Sequence, residues 1–131
     1  MLDALLRLFA QIPPKTTVFV EEHPRGMASE PLKLLGLLPV QEGTSPWGVS
    51  FRALDGSSRE ETLLRLSELL THVEPGGWLF LAWTQQGGPS HMTALAVQSG
   101  WALAQEPTVT SDGVTSLVQG VYRRVEAHVV A

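Results

Sequence analysis

The chain has 131 residues, 44% hydrophobic and 17% charged, which fits one globular domain long enough to bury a core without staples. A formal net charge of −4 argues against nucleic acid or an anionic membrane surface as the main partner. Cysteine is absent, so disulfides, thiolate nucleophiles and cysteine metal sites are excluded. No apolar run approaches the roughly 18 residues of a membrane span. The amino-terminal MLDALLRLF is too polar for a signal peptide and lacks a cleavage pattern. The expectation is a cytoplasmic protein with one domain over residues 1–131.

Taken in order, Leu2, Leu5, Leu6, Phe9 and Ile12 recur at three- and four-residue steps, predicting a short amphipathic helix within residues 1–14 that Pro13-Pro14 ends. Thr16 to Glu21 is β-branched and aromatic and predicts a buried strand. Ser29 can cap a helix whose first turn holds Glu30 and Pro31, with leucines from 32 to 38 on its apolar side. Residues 41–48 read as a loop, and Gly48 to Leu54 as a strand that Asp55-Gly56 breaks.

Ser58 and Glu61 have capping-box spacing at the head of a helix through Leu63, Leu66, Leu70 and Val73. A Pro75-Gly76-Gly77 turn then leads into WLFLAW, apolar on both faces as an interior parallel strand should be. Ser90 can cap a further helix that closes at Gly100. Trp101 to Thr110 and Val114 to Arg123, split by Ser111-Asp112-Gly113, form a hairpin signal. Strands alternating with helices predict an α/β three-layer sandwich, a mainly parallel Rossmann-like sheet with a C-terminal antiparallel hairpin.

The helix running into Glu74-Pro75-Gly76-Gly77 and WLFLAW, followed by Ser99-Gly100-Trp101 and the arginine-ended hairpin, resembles the later half of class I S-adenosylmethionine-dependent methyltransferases. The resemblance covers roughly residues 58 to 124. It implies a Gly-rich loop after the first strand that brings backbone close to the cofactor, yet no G-x-G-x-G occurs in this chain. Were Thr16 to Glu21 the second strand of that family, Glu21 would stand where an acid holds the ribose hydroxyls. Asp55 would then stand where a carboxylate meets the adenine amino group. Were it the first strand, the loop would read Glu22-His23-Pro24-Arg25-Gly26, with one glycine. Side chains at glycine positions keep a ligand from the backbone.

The expectation is therefore a non-catalytic methyltransferase-like domain, a pseudoenzyme comparable to the N-terminal domain of the anamorsin family. It would bind no cofactor and work through protein contacts as a homodimer or subunit. The alternative is an S-adenosylmethionine-binding methyltransferase with a degenerate or partner-completed pocket. A third reading is a regulator that takes a small anionic ligand at the Gly87 to Ser90 loop.

Other chemistry finds less support. His23, His72, His91 and His128 lack metal-ligand spacing, and His72 is explained as a cation at a helix end. No G-x-S-x-G elbow and no P-loop is present. Trp47, in a Ser-Pro-Trp-Gly loop, and Leu5 and Phe9 on the first helix are candidates for an interaction surface. Each can equally pack on the sheet.

Overall fold

The computed structural model describes residues 2–111 and 113–125, with residues 2–4 by backbone alone. Asp112 of the hairpin turn and His128 lie outside the described residues. In chain order the elements are α1 (Leu2–Phe9), β1 (Thr17–Glu22), α2 (Ser29–Leu34), β2 (Leu38–Val40), β3 (Ser45–Phe51), α3 (Arg59–Leu69), β4 (Val73–Thr84), α4 (Met92–Gln98), β5 (Trp101–Ser111) and β6 (Ser116–Arg124). The sheet runs β2-β1-β3-β4-β6-β5. Its first four strands are parallel, and β6 pairs antiparallel with both β4 and β5. This is the expected α/β sandwich with its terminal hairpin.

Alternation along the strands divides the core into two layers. On one face Val18, Val20, Val49, Phe51, Phe80 and Val121 pack under α1 and α2. Leu5 and Phe9 are 3% and 1% exposed there, and Phe9 meets Phe80 at a ring distance of 5.7 Å. The apolar stripe of α1 thus covers its own sheet. On the other face Leu66 and Leu69 of α3 and Met92, Leu95 and Ala96 of α4 cover Leu79, Leu81 and Tyr122. Tyr122 is fully buried with its hydroxyl 2.9 Å from Thr93 Oγ1, and burial pushes the phenol above its ordinary pKa.

Three expectations are corrected. The helix expected to run to Leu38 and end at Pro39 stops earlier, because Gly36 at φ +77° ends α2 and Leu38–Val40 pair with β1 as a short edge strand. Ser45–Trp47 are strand rather than loop, and Trp47 stacks on Trp78 and Phe80 at 5.5 and 5.4 Å, half-buried. Residues 74–77 form no separate turn but bulge out of β4, whose register jumps from Ser45↔Val73 to Trp47↔Trp78. A Cβ at Gly77 would lie 2.7 Å from the Pro46 carbonyl oxygen, so only glycine fits.

The β2 to β3 link is unusually short. Parallel neighbours ordinarily need a crossover of a dozen or more residues. Here residues 41–44 cross β1 alone, resting on the α3 side of the sheet. His72 Nδ1 donates to the Gly43 carbonyl at 2.9 Å, while its ring stacks on Phe19 at 4.0 Å. Thr44 Oγ1 donates to the Thr71 carbonyl, and Ser45 N–H to that of His72. His72 therefore latches the crossover, and bonding the free carbonyls at the end of α3 is a separate role.

That second role falls to β6. The last turn of α3 contains no basic residue. Arg124 Nη1 instead donates to the carbonyls of Leu70 and Val73 at 2.8 and 2.6 Å, placing a cation on the negative end of the helix. Arg124→Ala should lower stability by about 1–3 kcal/mol, the cost of orphaning partly buried carbonyls. Urea denaturation should show this as a lower midpoint with an unchanged m-value. A midpoint equal to wild type would show that water replaces the guanidinium.

Candidate functional site

In open α/β sheets ligands enter outside the carboxyl ends of the strands, where strand order reverses. That place is β1, with β2 on one side and β3 on the other. Thr17–Glu22 therefore holds the position of the first strand of a doubly wound sheet. The loop after it, Glu22-His23-Pro24-Arg25-Gly26, stands where the cofactor loop would be.

Glu22 organises that loop. Its carboxylate accepts from the amides of Gly26 (2.6 Å), Ala28 (2.9 Å) and Ser29 (2.9 Å), and from Ser29 Oγ (2.7 Å). Burial raises the carboxyl pKa, but the Ser29 hydroxyl and the three amides together hold it below the ordinary carboxylate value. Ser29 is consequently not the cap of α2. It is the first helical residue, and its hydroxyl serves Glu22.

Glu21 points to the opposite face. Its oxygens take Ser50 Oγ at 2.7 Å and Arg65 Nη2 at 3.4 Å. Asp55 ties the loop after β3 to the end of β4, accepting from Thr84 N–H (3.0 Å), Thr84 Oγ1 (2.8 Å) and Arg52 Nε (3.2 Å). Gly56 N–H also donates to the Gly87 carbonyl at 2.8 Å. Both sequence candidates are thus engaged by the protein itself, and of the two Asp55 lines a cleft.

Two clefts open on this edge. One of about 770 Å³ lies between α2 and the ends of β1 and β2, with Glu22, Arg25, Gly26, Lys33 and Glu42 on its walls. A second of about 650 Å³ lies over the ends of β3 and β4, with Glu22, His23, Arg52, Asp55, Arg65 and Thr84. Glu22 lines both, so they adjoin. Their sizes fall in the range of ligand pockets.

The first two amides of the Gly87 to Ser90 loop are engaged within the chain. Gly87 and Gly88 amides donate to Thr84 Oγ1 and the Thr84 carbonyl at 3.1 and 2.8 Å. Ser90 does not cap α4, because His91 takes that position at φ +58° without a side-chain cap bond. Among the described residues no three His, Asp or Glu side chains are grouped to hold a metal ion, and no helix is long and apolar enough to cross a membrane.

Sequence reasoning passed over Glu22, Glu42 and Arg52 as site residues. Glu42 lies just beyond β2, about twenty residues after the loop acid, the spacing at which a ribose-binding acid occurs in dinucleotide-binding folds. The sequence hides that signal, because Leu38–Val40 is three residues around a proline and becomes a strand only by pairing with β1.

No protein-family model and no curated protein matches the chain. Solved structures do match at low identity. The Burkholderia thailandensis 1,6-didemethyltoxoflavin-N1-methyltransferase, with bound 1,6-didemethyltoxoflavin and S-adenosylhomocysteine, superposes at TM-score 0.70 and 10% identity, over 94% of this chain and 79% of that one. The N-methyltransferase NodS from Bradyrhizobium japonicum WM9, in complex with S-adenosylhomocysteine, gives 0.71 and 11%, over 95% and 86%. The cyclopropane synthase MmaA2 from Mycobacterium tuberculosis gives 0.69 and 9%, over 93% and 84%. The expectation that no cofactor is bound is corrected by these neighbours, two of which hold S-adenosylhomocysteine. With its β2-β1-β3-β4-β6-β5 sheet, this chain has the fold of class I S-adenosylmethionine-dependent methyltransferases.

Proposed function

We propose that this chain is an S-adenosylmethionine-binding methyltransferase-like domain with its cofactor cleft between the carboxyl ends of β1 and β2. The observation that carries the reading is that cleft itself, about 770 Å³ at the strand-order reversal, with Glu42 on one wall and Gly26 on another. Glu42 would accept from the ribose hydroxyls, as an acid after the second strand does in related sheets. Gly26, at φ +91°, gives the loop a turn that a side chain would strain. The amides of this loop already serve Glu22, so Arg25 and Lys33 on the same walls would receive the methionine carboxylate. When bound, the cofactor supplies a methyl group activated by its sulfonium. The residues of this chain bind and orient it.

A second reading, in which the domain binds the ligand without turnover and acts through protein contacts, is favoured by the edge beyond β2. Leu34 and Leu38 are 72% and 51% exposed there. Leu38 N–H donates to the Thr16 carbonyl, so alternation turns Pro39, which has no N–H, to the open side of the strand. A partner would therefore cover this edge with side chains rather than by adding a strand. Sedimentation velocity should then show a concentration-dependent homodimer that Leu38→Arg dissolves. A monomer at every concentration would rule the homodimer out.

Calorimetry tests the leading reading. S-adenosylhomocysteine should bind, and Glu42→Ala should weaken it about 10- to 100-fold, the loss of a charge-assisted hydrogen bond. Absence of binding heat in the wild type would end the reading.

Glu22 gives a test in pH. Its folded pKa lies below its unfolded value, so its stabilisation is present above the unfolded pKa and fades as pH falls through the folded one. Glu22→Gln should cost about 1–2 kcal/mol at neutral pH, the lower part of the range because the site is partly exposed. The gap from wild type should narrow on acidification below the ordinary carboxylate range. A gap independent of pH would show that the charge of Glu22 is not what holds the loop.

A further inference from the structure

Among the described residues, the second cleft contains one guanidinium whose outer edge is unspent. Arg52 follows β3 directly and sits at φ +56°, a conformation that L side chains other than Asn and Asp rarely adopt. The backbone is pinned there from both ends, since Arg52 N–H donates to the Ala82 carbonyl at 2.7 Å and its own carbonyl accepts from Asp55 N–H at 3.2 Å. The side chain is aimed as well. Nε donates to Asp55 Oδ2 at 3.2 Å, and Asp55 is itself fixed by the amide and hydroxyl of Thr84. Among the described residues Nη1 and Nη2 of Arg52 have no hydrogen-bond partner, and its side chain is 34% exposed on the cleft wall.

The acids nearby keep their charge but do not compete for the outer nitrogens of Arg52. Both Asp55 oxygens are taken by Thr84 and Arg52, and both Glu22 oxygens by loop amides and Ser29. Arg65, on the same cleft, adds a second positive charge, though its two outer nitrogens are committed to the Ala53 carbonyl and to Glu21. Among the described residues the outer nitrogens of Arg52 are unengaged, and their planar fork matches the two oxygens of a carboxylate or phosphate.

We propose that Arg52 binds an oxyanion, carboxylate or phosphate, on the second ligand that enters the cleft over β3 and β4 beside the cofactor. This rests on the cofactor reading of the adjoining cleft, which shares Glu22 as its wall. Arg52 is then a specificity-determining residue. The strained backbone sets its direction, and Asp55 leaves its outer nitrogens free.

The test uses the whole chain with malonate and inorganic phosphate as separate probes, titrated by calorimetry or NMR with and without S-adenosylhomocysteine. Saturable binding of at least one probe is expected, and the preference between them separates a carboxylate ligand from a phosphate one. Arg52→Gln should weaken that binding about 10-fold or more, with Arg52→Lys intermediate because it keeps the charge and loses the fork. Arg52→Asn, which tolerates the left-handed backbone, guards against a folding defect and should match Arg52→Gln. Affinity for S-adenosylhomocysteine should stay within about two-fold in all three. Neither probe binding the wild type, or either binding Arg52→Gln and Arg52→Asn as well as wild type, would overturn the proposal. Arg52-dependent probe binding without any affinity for S-adenosylhomocysteine would uphold the oxyanion site and overturn the reading of the neighbouring cleft.

Discussion

A carboxylate at the end of a central strand must be given donors, and the contacts of Glu22 show how far that demand shapes this protein. Three amides and one hydroxyl converge on it from the four- to seven-residue stretch that follows. Those amides belong to the turn and the first residues of α2, the groups a short helix leaves unpaired at its start. One side chain therefore closes the loop and docks the helix, and it forms the wall between two clefts. The loop has a single glycine because its geometry is held by a side chain. In a glycine-rich loop, backbone freedom and a bound ligand would share that work.

The second organising constraint is the four-residue crossover. With residues 41–44 replacing a longer connection, β2 becomes the sheet's edge and the leucines at 34 and 38 stay exposed. The crossover is held because His72 Nδ1 donates to the Gly43 carbonyl, while the carbonyls of Thr71 and His72, both just past α3, accept from the Thr44 hydroxyl and from Ser45 N–H at the start of β3. It also carries Glu42 to the cleft. Crossover and cleft wall are thus one element, and its anchor lies on the far side of the sheet.

The sequence foretold best whatever depends on neighbours within one turn. Ser58 does accept from Glu61 N–H at 3.1 Å, Gly100 does end α4 with a positive φ, and WLFLAW is an interior strand. What it concealed depends on distant partners. β2 is three residues with a proline in the middle, and only pairing with Thr17–Phe19 makes it a strand. Arg124 caps a helix that ends more than fifty residues earlier, a relation no local pattern encodes. Glu21 and Asp55 stand out in the sequence as strand-end acids, and both lie at that edge. Their partners, Ser50, Arg65 and Thr84, come from other strands and a helix, so their engagement was invisible before the fold was known.

The valence left over at the carboxyl edge is therefore informative. Acids are the residues that catch the eye in a chain with a net charge of −4, yet Glu21, Glu22 and Asp55 all spend their oxygens within the chain. Each engagement also fixes something else: Glu21 places Arg65, Asp55 places Arg52, and Glu22 places the loop that carries Arg25. The carboxylates act as scaffolding for guanidinium groups, and those groups face the clefts. Each cleft therefore sets a guanidinium group beside a carboxylate that is already engaged within the chain. On the proposed reading, preference among ligands would follow the arginine nitrogens left free, which the net charge of the chain does not reveal.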